Sequence, residues 1–170
     1  MAHYARLGVN NVVIRVDIVD NSKVTTSGGI EKDALAFDHL YNEFGAGIWV
    51  KCSFNTVEGV HVLGGKPLRA NYPGGEYDEN DPWYYDIAND IFCKGRPKDK
   101  DGESCASWTL NTTTGVWEPP ITKPEYTRQQ IEEFKHYLWD ESAYILDNTC
   151  LLYTSPSPRD LSTSRMPSSA

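Results

Sequence analysis

The sequence lacks the features that mark most metal-binding, membrane-spanning and nucleic-acid-binding proteins. Its four cysteines include no C-x-x-C pair, so zinc ligation and a disulfide framework have little support. No apolar run approaches the roughly 20 residues that cross a bilayer. Acidic residues outnumber basic ones by 24 to 16, and such a surface disfavours nucleic acids and anionic membranes, which are bound by clustered Lys and Arg.

Motifs of catalytic machinery are missing as well. The chain contains no P-loop, no G-x-S-x-G turn and no dinucleotide fingerprint. Its four histidines follow no H-E-x-x-H pattern: His3, His39, His61 and His136. The acidic segments Asp78–Asp81 and Asp99–Glu103 lack EF-hand spacing, which favours solvated loops over a calcium site. We therefore expect no metal site and no cofactor, and none of these motifs points to a catalytic residue.

The first residues, Met1–Arg6, contain no apolar stretch of the kind that forms the core of a signal peptide. Together with the lack of an apolar span, this predicts a soluble protein that is made in a cytoplasm. The length is that of one domain or of two small lobes, with enough chain to bury a core.

Residues 1–66 carry the pattern of a ββαβ unit, which opens with a hairpin. Every second residue from Val12 to Ile18 is apolar, the period-two pattern of a half-buried strand. The Gly8–Asn11 segment suits the turn to a partner strand at Tyr4–Leu7, because glycine and asparagine tolerate positive φ.

A helix and a third strand complete this unit. The helix is predicted over Ile30–Phe44, with Gly45 ending it, and the strand over Ile48–Phe54. Residues at spacings of three, four and seven form the apolar stripe expected to face the core: Ile30, Ala34, Phe37, Leu40, Tyr41 and Phe44. Val57–Gly65 then predicts a second hairpin or a loop.

Residues 67–125 form a Gly- and Pro-rich region with aromatic residues between the breaks. Its clearest part is a hairpin of Trp108–Leu110 and Val116–Glu118 around an Asn-Thr-Thr-Thr-Gly turn. Pro119 and Pro120 prevent further pairing.

Residues 126–149 predict one more short helix and the start of a terminal hairpin. Thr127 and Gln130 fit a capping box at the helix start, and the apolar stripe would be Ile131, Phe134 and Leu138. The segment Leu138–Leu146 is predicted to be a hairpin that turns at Asp140–Ser142. The predicted fold class is therefore α+β, a ββαβ unit followed by short aromatic hairpins and one short helix.

Aromatic side chains are the best candidates for a binding site. Five are singled out: Trp83, Tyr84, Tyr85, Trp108 and Trp117. Flat rings near carboxylates suit sugar rings or anchor protein interfaces, although such rings also fill small cores. A carboxylate pair such as Asp78 with Asp86 permits a hydrolase hypothesis, but sequence does not set their separation.

Residues 150–170 resemble a translated DNA-sequencing adapter. Cys150–Asp160 match one frame of a widely used transposase adapter, and Ser164–Ala170 match the flow-cell primer that follows in that frame. Leu161–Thr163 fall where the index would lie. The alternative is an ordinary disordered tail rich in Ser and Pro. We expect this tail to be artefactual and disordered, with the native chain continuing beyond Thr149.

Several short motifs follow one another along residues 1–149: Met1–Ala5, Trp49–Asn55, Arg69–Asp78, Ser107–Asn111 and Trp117–Pro120. Their order resembles a family of small proteins of marine tailed bacteriophages, whose members read M-A-H-F-A, W-x-Q-T-S-Y-N, R-K-N-Y-A-G-I-G-Y-x-Y-D, S-W-x-L-N and W-E-x-P. This sequence departs from the family by apparent insertions at Trp83–Asp90 and Tyr126–Phe134.

The resemblance implies a non-enzymatic structural or assembly protein of the virion that contacts other virion proteins. It carries over no catalytic residue. Two alternatives from other classes stay open: a tail-tip module that binds host surface glycan, and a hydrolase of host surface polymer.

Overall fold

The computed structural model describes residues 1–74, 77–132, 136–147 and 153–155. Over these ranges the chain is α+β, as the sequence predicts, with short helices and small sheets. It divides into two compact units. Met1–Gly95 and Leu110–Trp117 belong to the first, and Arg96–Thr109 and Glu118–Ala170 to the second. None of the helices in the described ranges combines the length and the apolar character that crossing a membrane requires.

A three-stranded antiparallel sheet forms the centre of the first unit. β1 (Ala2–Leu7) pairs with β2 (Val13–Val19) on one side and with β3 (Ile48–Cys52) on the other, so the strand order is β2-β1-β3. The predicted first hairpin is confirmed. A short 3₁₀ turn, Val9–Asn11, joins its strands, and Asn10 takes a positive φ of 55°, a conformation that asparagine tolerates.

Two helices accompany this sheet. α1 (Asn21–Val24) is a single turn, capped where the Asp20 carboxylate accepts a hydrogen bond from the Ser22 amide at 2.8 Å. α2 (Asp33–Phe44) is the predicted helix, and it ends at Gly45, whose φ is 74°. Glycine adopts this angle without steric cost.

The buried face of α2 differs from the predicted stripe. Ala36 and Leu40 are its buried residues, and they pack with Tyr4, Val19 and Val24. The small side chain of Ala36 lets the helix approach the narrow sheet closely, so the contact centres on this pair. Other members of the stripe are exposed instead: Ile30, Ala34, Phe37, Tyr41 and Phe44.

Three short hairpins follow in the chain. They are β4 (Thr56–Val57) with β5 (Val60–His61), β6 (Trp83–Asp86) with β7 (Ile91–Lys94), and β8 (Thr109–Asn111) with β9 (Val116–Glu118). The first and the last lie where the sequence predicts hairpins. The middle one brings the fully buried Phe92 against the second face of the sheet, into a cluster with Ala5, Leu7, Val13 and Cys52.

The buried Asn71 side chain ties the hairpins of the first unit together. Its Oδ1 accepts from the Glu58 amide at 2.8 Å. Its Nδ2 donates to the carbonyls of Phe92 at 3.0 Å and Thr114 at 2.9 Å. One side chain therefore satisfies backbone groups of three separate hairpins, between which the described residues form no strand pairing.

Gly115 is packed directly against this asparagine. A Cβ at Gly115 would lie 2.4 Å from Asn71 Nδ2 and 2.7 Å from the Phe92 carbonyl oxygen, and its φ is +69°. We expect Gly115→Ala to lower the free energy of unfolding by about 2 kcal/mol, from backbone strain and the displaced hydrogen bonds. Urea unfolding measures the loss. Gly102→Ala is the control, since its φ is also positive but its Cβ would meet nothing within 4 Å; equal losses would contradict the role of the close contact.

The second unit contains α3 (Arg128–Glu132), β10 (His136–Leu138), α4 (Glu141–Asp147) and β11 (Tyr153–Ser155), with β10 and β11 paired. The predicted helix start near Thr127 is confirmed. Leu138 lies in β10, so its predicted place on the helix stripe is wrong, and Phe134 lies outside the described residues. Within the adapter-like segment only β11 is described; the predictions for the rest of 150–170 lie outside the described residues.

The predicted hairpin over Leu138–Leu146 is wrong, because Glu141–Asp147 is helical. The Asp140 carboxylate accepts from the Ala143 amide at 2.9 Å, and the Asp140 carbonyl accepts from the Tyr144 amide at 3.2 Å. These are the bonds of a helix N-cap. The Asp-Glu-Ser segment therefore starts a helix here and does not form a turn between strands.

Candidate functional site

Trp83, Tyr84 and Tyr85 are consecutive on β6, so their side chains point alternately to its two faces. Trp83 and Tyr85 pack against the buried cluster beneath the sheet. The Tyr85 hydroxyl donates to the Asp90 carboxylate. Tyr84 lies beside Gly95, where a Cβ would come within 3.3 Å of its ring. Tyr84 therefore lies on the face opposite Trp83 and Tyr85, and the three rings do not form one flat platform.

The other two predicted rings are also engaged by their surroundings. In the first unit, the Trp117 indole donates to the Lys94 carbonyl at 3.0 Å. In the second unit, Trp108 meets Trp139 edge to face, with the ring centroids 5.6 Å apart. All five predicted residues are half-buried. Such positions are typical of rings that fill small cores, the alternative that the sequence leaves open.

The carboxylates considered for catalysis or calcium are held within their own turns. Asp78 accepts from the Asn80 amide and Asp86 from the Ala88 amide, both at 2.9 Å. Asp99 likewise accepts from two amides of its loop. Within the ranges that the structure describes, no group of three or more His, Cys, Asp and Glu side chains is placed to hold a metal ion.

Cys52, Cys93 and Cys105 are free, buried thiols. Burial raises the pKa of Cys52 to about 12 and those of Cys93 and Cys105 to about 11. Since the thiolate is the reactive form, we expect iodoacetamide to alkylate these residues at least about tenfold more slowly in the native than in the unfolded protein. Peptide mapping measures each site separately. Alkylation of Cys105 at the unfolded rate would show that its environment is open to solvent.

A surface that the sequence did not predict lies between α2 and the edge of the sheet. It is an open groove of about 360 Å³, here called the α2–β3 groove. Its walls are Phe37, Asp38, Tyr41, Gly45, Gly47 and Trp49. Tyr41 is 61% exposed, and Phe37 is 37% exposed. The groove therefore presents aromatic surface to solvent beside a carboxylate.

Two arginines contact Trp49, which lines the groove, and Phe44, which packs against Trp49. The Arg6 guanidinium lies 5.5 Å from the Trp49 ring centroid, and the Arg15 guanidinium lies 4.4 Å from that of Phe44. Phe44 and Trp49 contact each other, with centroids 5.9 Å apart. Cation–π contacts of this kind contribute about 0.5–1 kcal/mol each at exposed sites. The rings are thus fixed in position while the groove stays open.

Two of the three acidic residues of α2 lack a basic partner within the described residues. Asp38 and Glu43 form no salt bridge within the described part of the chain. Asp33, by contrast, pairs with Lys51 at 3.0 Å. Of Asp38 and Glu43, only Asp38 lines the groove beside the aromatic rings.

Periodicity did not identify this groove, because it assigned Phe37, Tyr41 and Phe44 to the core. One signal was present in the sequence. The apolar residues of α2 occupy two adjoining stripes, Ala36–Leu40 and Phe37–Tyr41–Phe44, and a helix resting on one narrow sheet buries only one of them.

A scan against protein-family models, a search of curated proteins and a search of solved structures each found no match to this chain. What the chain does must be inferred from its own residues.

Proposed function

We propose that this chain is a non-enzymatic structural or assembly protein of a bacteriophage particle, which acts through contacts with other virion proteins. The observation that carries the proposal is the α2–β3 groove. The motif order along residues 1–149 supplies the phage context, since it resembles a family of marine phage proteins.

Aromatic side chains that are exposed to water have an unfavourable hydration free energy. A partner protein that covers them removes this contribution. Burial of apolar surface contributes roughly 25 cal/mol per Å², and Tyr, Trp and Phe are enriched at the centres of protein interfaces. In the groove, Tyr41 stands on a helix and Trp49 on a strand, so binding a partner does not have to order the backbone that carries them. An exposed aromatic surface on regular elements supports a role in protein–protein contact.

Mass spectrometry of density-purified particles of the encoding phage tests this proposal. Peptides from residues 1–149 should co-sediment with the capsid protein in a constant ratio. Their presence only in the soluble lysate fraction, with none in the particle, would favour an assembly factor. An origin next to bacterial metabolic genes, with no phage genes flanking the reading frame, would overturn the proposal.

A further inference from the structure

A second open pocket of the first unit shares no lining residue with the α2–β3 groove. Its volume is about 390 Å³, within the range of small-molecule sites, roughly 300–1,000 Å³. It lies where β3, the start of α1 and the segment that follows β3 meet, and it is called the Phe54 pocket here. The side chains that matter for its chemistry are Asn21, Glu31, Lys51, Phe54, Asn55 and Lys66.

Two amide side chains of the Phe54 pocket are free to bind a ligand. Asn21 and Asn55 make no side-chain hydrogen bond within the described residues. An amide carries an acceptor oxygen and two donor hydrogens, so it can pair with hydroxyl groups, which donate and accept at one atom. Lys66 adds a donor, since it forms no salt bridge in the part of the chain that the structure describes. A wholly apolar ligand would leave these groups unpaired, so the pocket favours a polar one.

The side-chain charges around the pocket balance. Lys51 pairs with both Glu31 and Asp33, and Lys66 supplies the second positive charge beside these two acids. Burial lowers the pKa of His3, which also lines the pocket, below its ordinary value of 6.5, so its ring is neutral near pH 7. An anionic ligand would meet no excess of positive side-chain charge, and the pocket therefore favours a neutral one.

Phe54 gives the pocket an apolar face. The residue is 64% exposed. Its ring contacts those of His3 and Tyr72, with centroids 6.1 Å and 5.3 Å apart. The ring is thus packed against two neighbours while it remains accessible from solvent. A flat ring of this kind offers a surface on which the C–H groups of a sugar ring can pack.

We propose that the Phe54 pocket binds a neutral pyranose unit of a glycan. The sugar ring packs on Phe54, and its hydroxyl groups pair with the amides of Asn21 and Asn55 and with Lys66. A pyranose fits because it is uncharged, carries many hydroxyl groups and has an apolar face. None of the five rings singled out from the sequence lines this pocket. The inference goes beyond the proposed function, since it adds a ligand of another class.

A glycan array probed with the full chain tests the inference. The chain is displayed in multivalent form, so that weak binding at a single site is detected. The array carries neutral glycans that end in glucose, galactose, mannose or N-acetylglucosamine, together with sulfated and sialylated counterparts. Neutral glycans should be bound, and the charged counterparts should show no gain in binding. Binding to charged glycans alone, or to no glycan, would overturn the inference.

Variants of Phe54 test the packing of the sugar ring. The best neutral disaccharide of the array is titrated into the full chain by NMR, with an expected Kd of about 1 mM or tighter. Phe54→Leu should weaken binding by about fivefold or more, because the flat face is lost. Phe54→Tyr keeps that face and should bind within about twofold of the wild type. Equal binding by the wild type and Phe54→Leu would overturn the role of the ring and with it the pocket assignment.

A matched pair of amide variants tests the hydrogen bonds. Asn55→Ala should weaken binding of the same disaccharide by about fivefold. Asn42→Ala is the control and should leave binding unchanged, because Asn42 is an exposed amide of the same unit that does not line the pocket. Equal effects of the two variants would place the sugar elsewhere. If no neutral glycan binds while the chain still co-sediments with particles, the pocket assignment is wrong and the proposed function stands.

Discussion

Replacing Asn71 with alanine should lower the free energy of unfolding of the first unit by about 3–5 kcal/mol. The side chain is 5% exposed, and alanine leaves the Glu58 amide and the carbonyls of Phe92 and Thr114 without their partner. Buried backbone groups that lose a hydrogen bond carry the full cost of desolvation. Urea unfolding followed by intrinsic fluorescence measures the change.

Two further variants separate this role from a general effect of losing an amide. Asn71→Asp keeps an acceptor for the Glu58 amide but removes both donated bonds, so it should be nearly as destabilising. Asn80→Ala, at an exposed loop position, should change the unfolding free energy by no more than about 0.5 kcal/mol. A loss below about 1 kcal/mol for Asn71→Ala would show that water replaces the missing amide.

Glu141→Ala should lower the unfolding free energy of the second unit by about 3–4 kcal/mol. Glu141 is only 5% exposed. Its carboxylate accepts three bonds at 2.7 Å, from the Ser107 amide, the Ser107 hydroxyl and the Trp139 indole. Removing it leaves these donors unpaired around a small cavity. Glu125→Ala, at an exposed position of the same unit, is the control and should be nearly neutral.

The same carboxylate predicts a dependence of stability on pH. Burial by itself would raise the pKa of Glu141, but the bonds from Trp139 and Ser107 outweigh it, so the pKa lies below its ordinary value of 4.5. A group with a lowered folded pKa stabilises the fold above its unfolded pKa, and this contribution is lost as pH falls through the folded value.

Comparison with Glu141→Gln isolates this contribution from those of other acids. The wild type should be more stable than this variant near neutral pH, and the difference should shrink as pH falls below about 4.5. Urea unfolding at a series of pH values measures it. A difference that stays constant down to the acid limit would mean that the charge of Glu141 does not contribute.

Local signals were sufficient for some elements of the fold. The Gly8–Asn11 turn, the alternating strand after it and the glycine end of α2 are set by φ preferences and by periodicities of neighbouring residues. The Thr-rich hairpin of β8 and β9 was predictable for the same reason. Each of these features depends on interactions a few residues apart, which the order of residues already contains.

The terminal hairpin prediction failed because aromatic residues and a polar turn are compatible with both strands and helices. Asp140 is a good helix cap as well as a good turn residue. The carboxylate of its neighbour Glu141 accepts hydrogen bonds from Ser107 and Trp139. Ser107 lies 34 residues away in the sequence. A contact of that range has no local signature.

The candidate site shows the same limit. Composition drew attention to the clustered rings of Trp83, Tyr84 and Tyr85, whereas the exposed aromatic groove is built from Tyr41 on α2 and Trp49 on β3. Whether a ring is a core residue or a contact residue depends on which neighbours cover it, and sequence spacing reports only the face on which it lies.

By itself, the sequence determined the fold class, the first hairpin, the existence and end of α2, and an acidic charge balance. These follow from short-range conformational preferences and from composition. Only the tertiary structure decided which stripe of α2 is buried, that Asn71 and Glu141 join distant segments, and that rings of α2 and β3 line one open groove. The reason is physical: burial and hydrogen-bond satisfaction depend on groups far apart in the chain, and folding determines which of them meet.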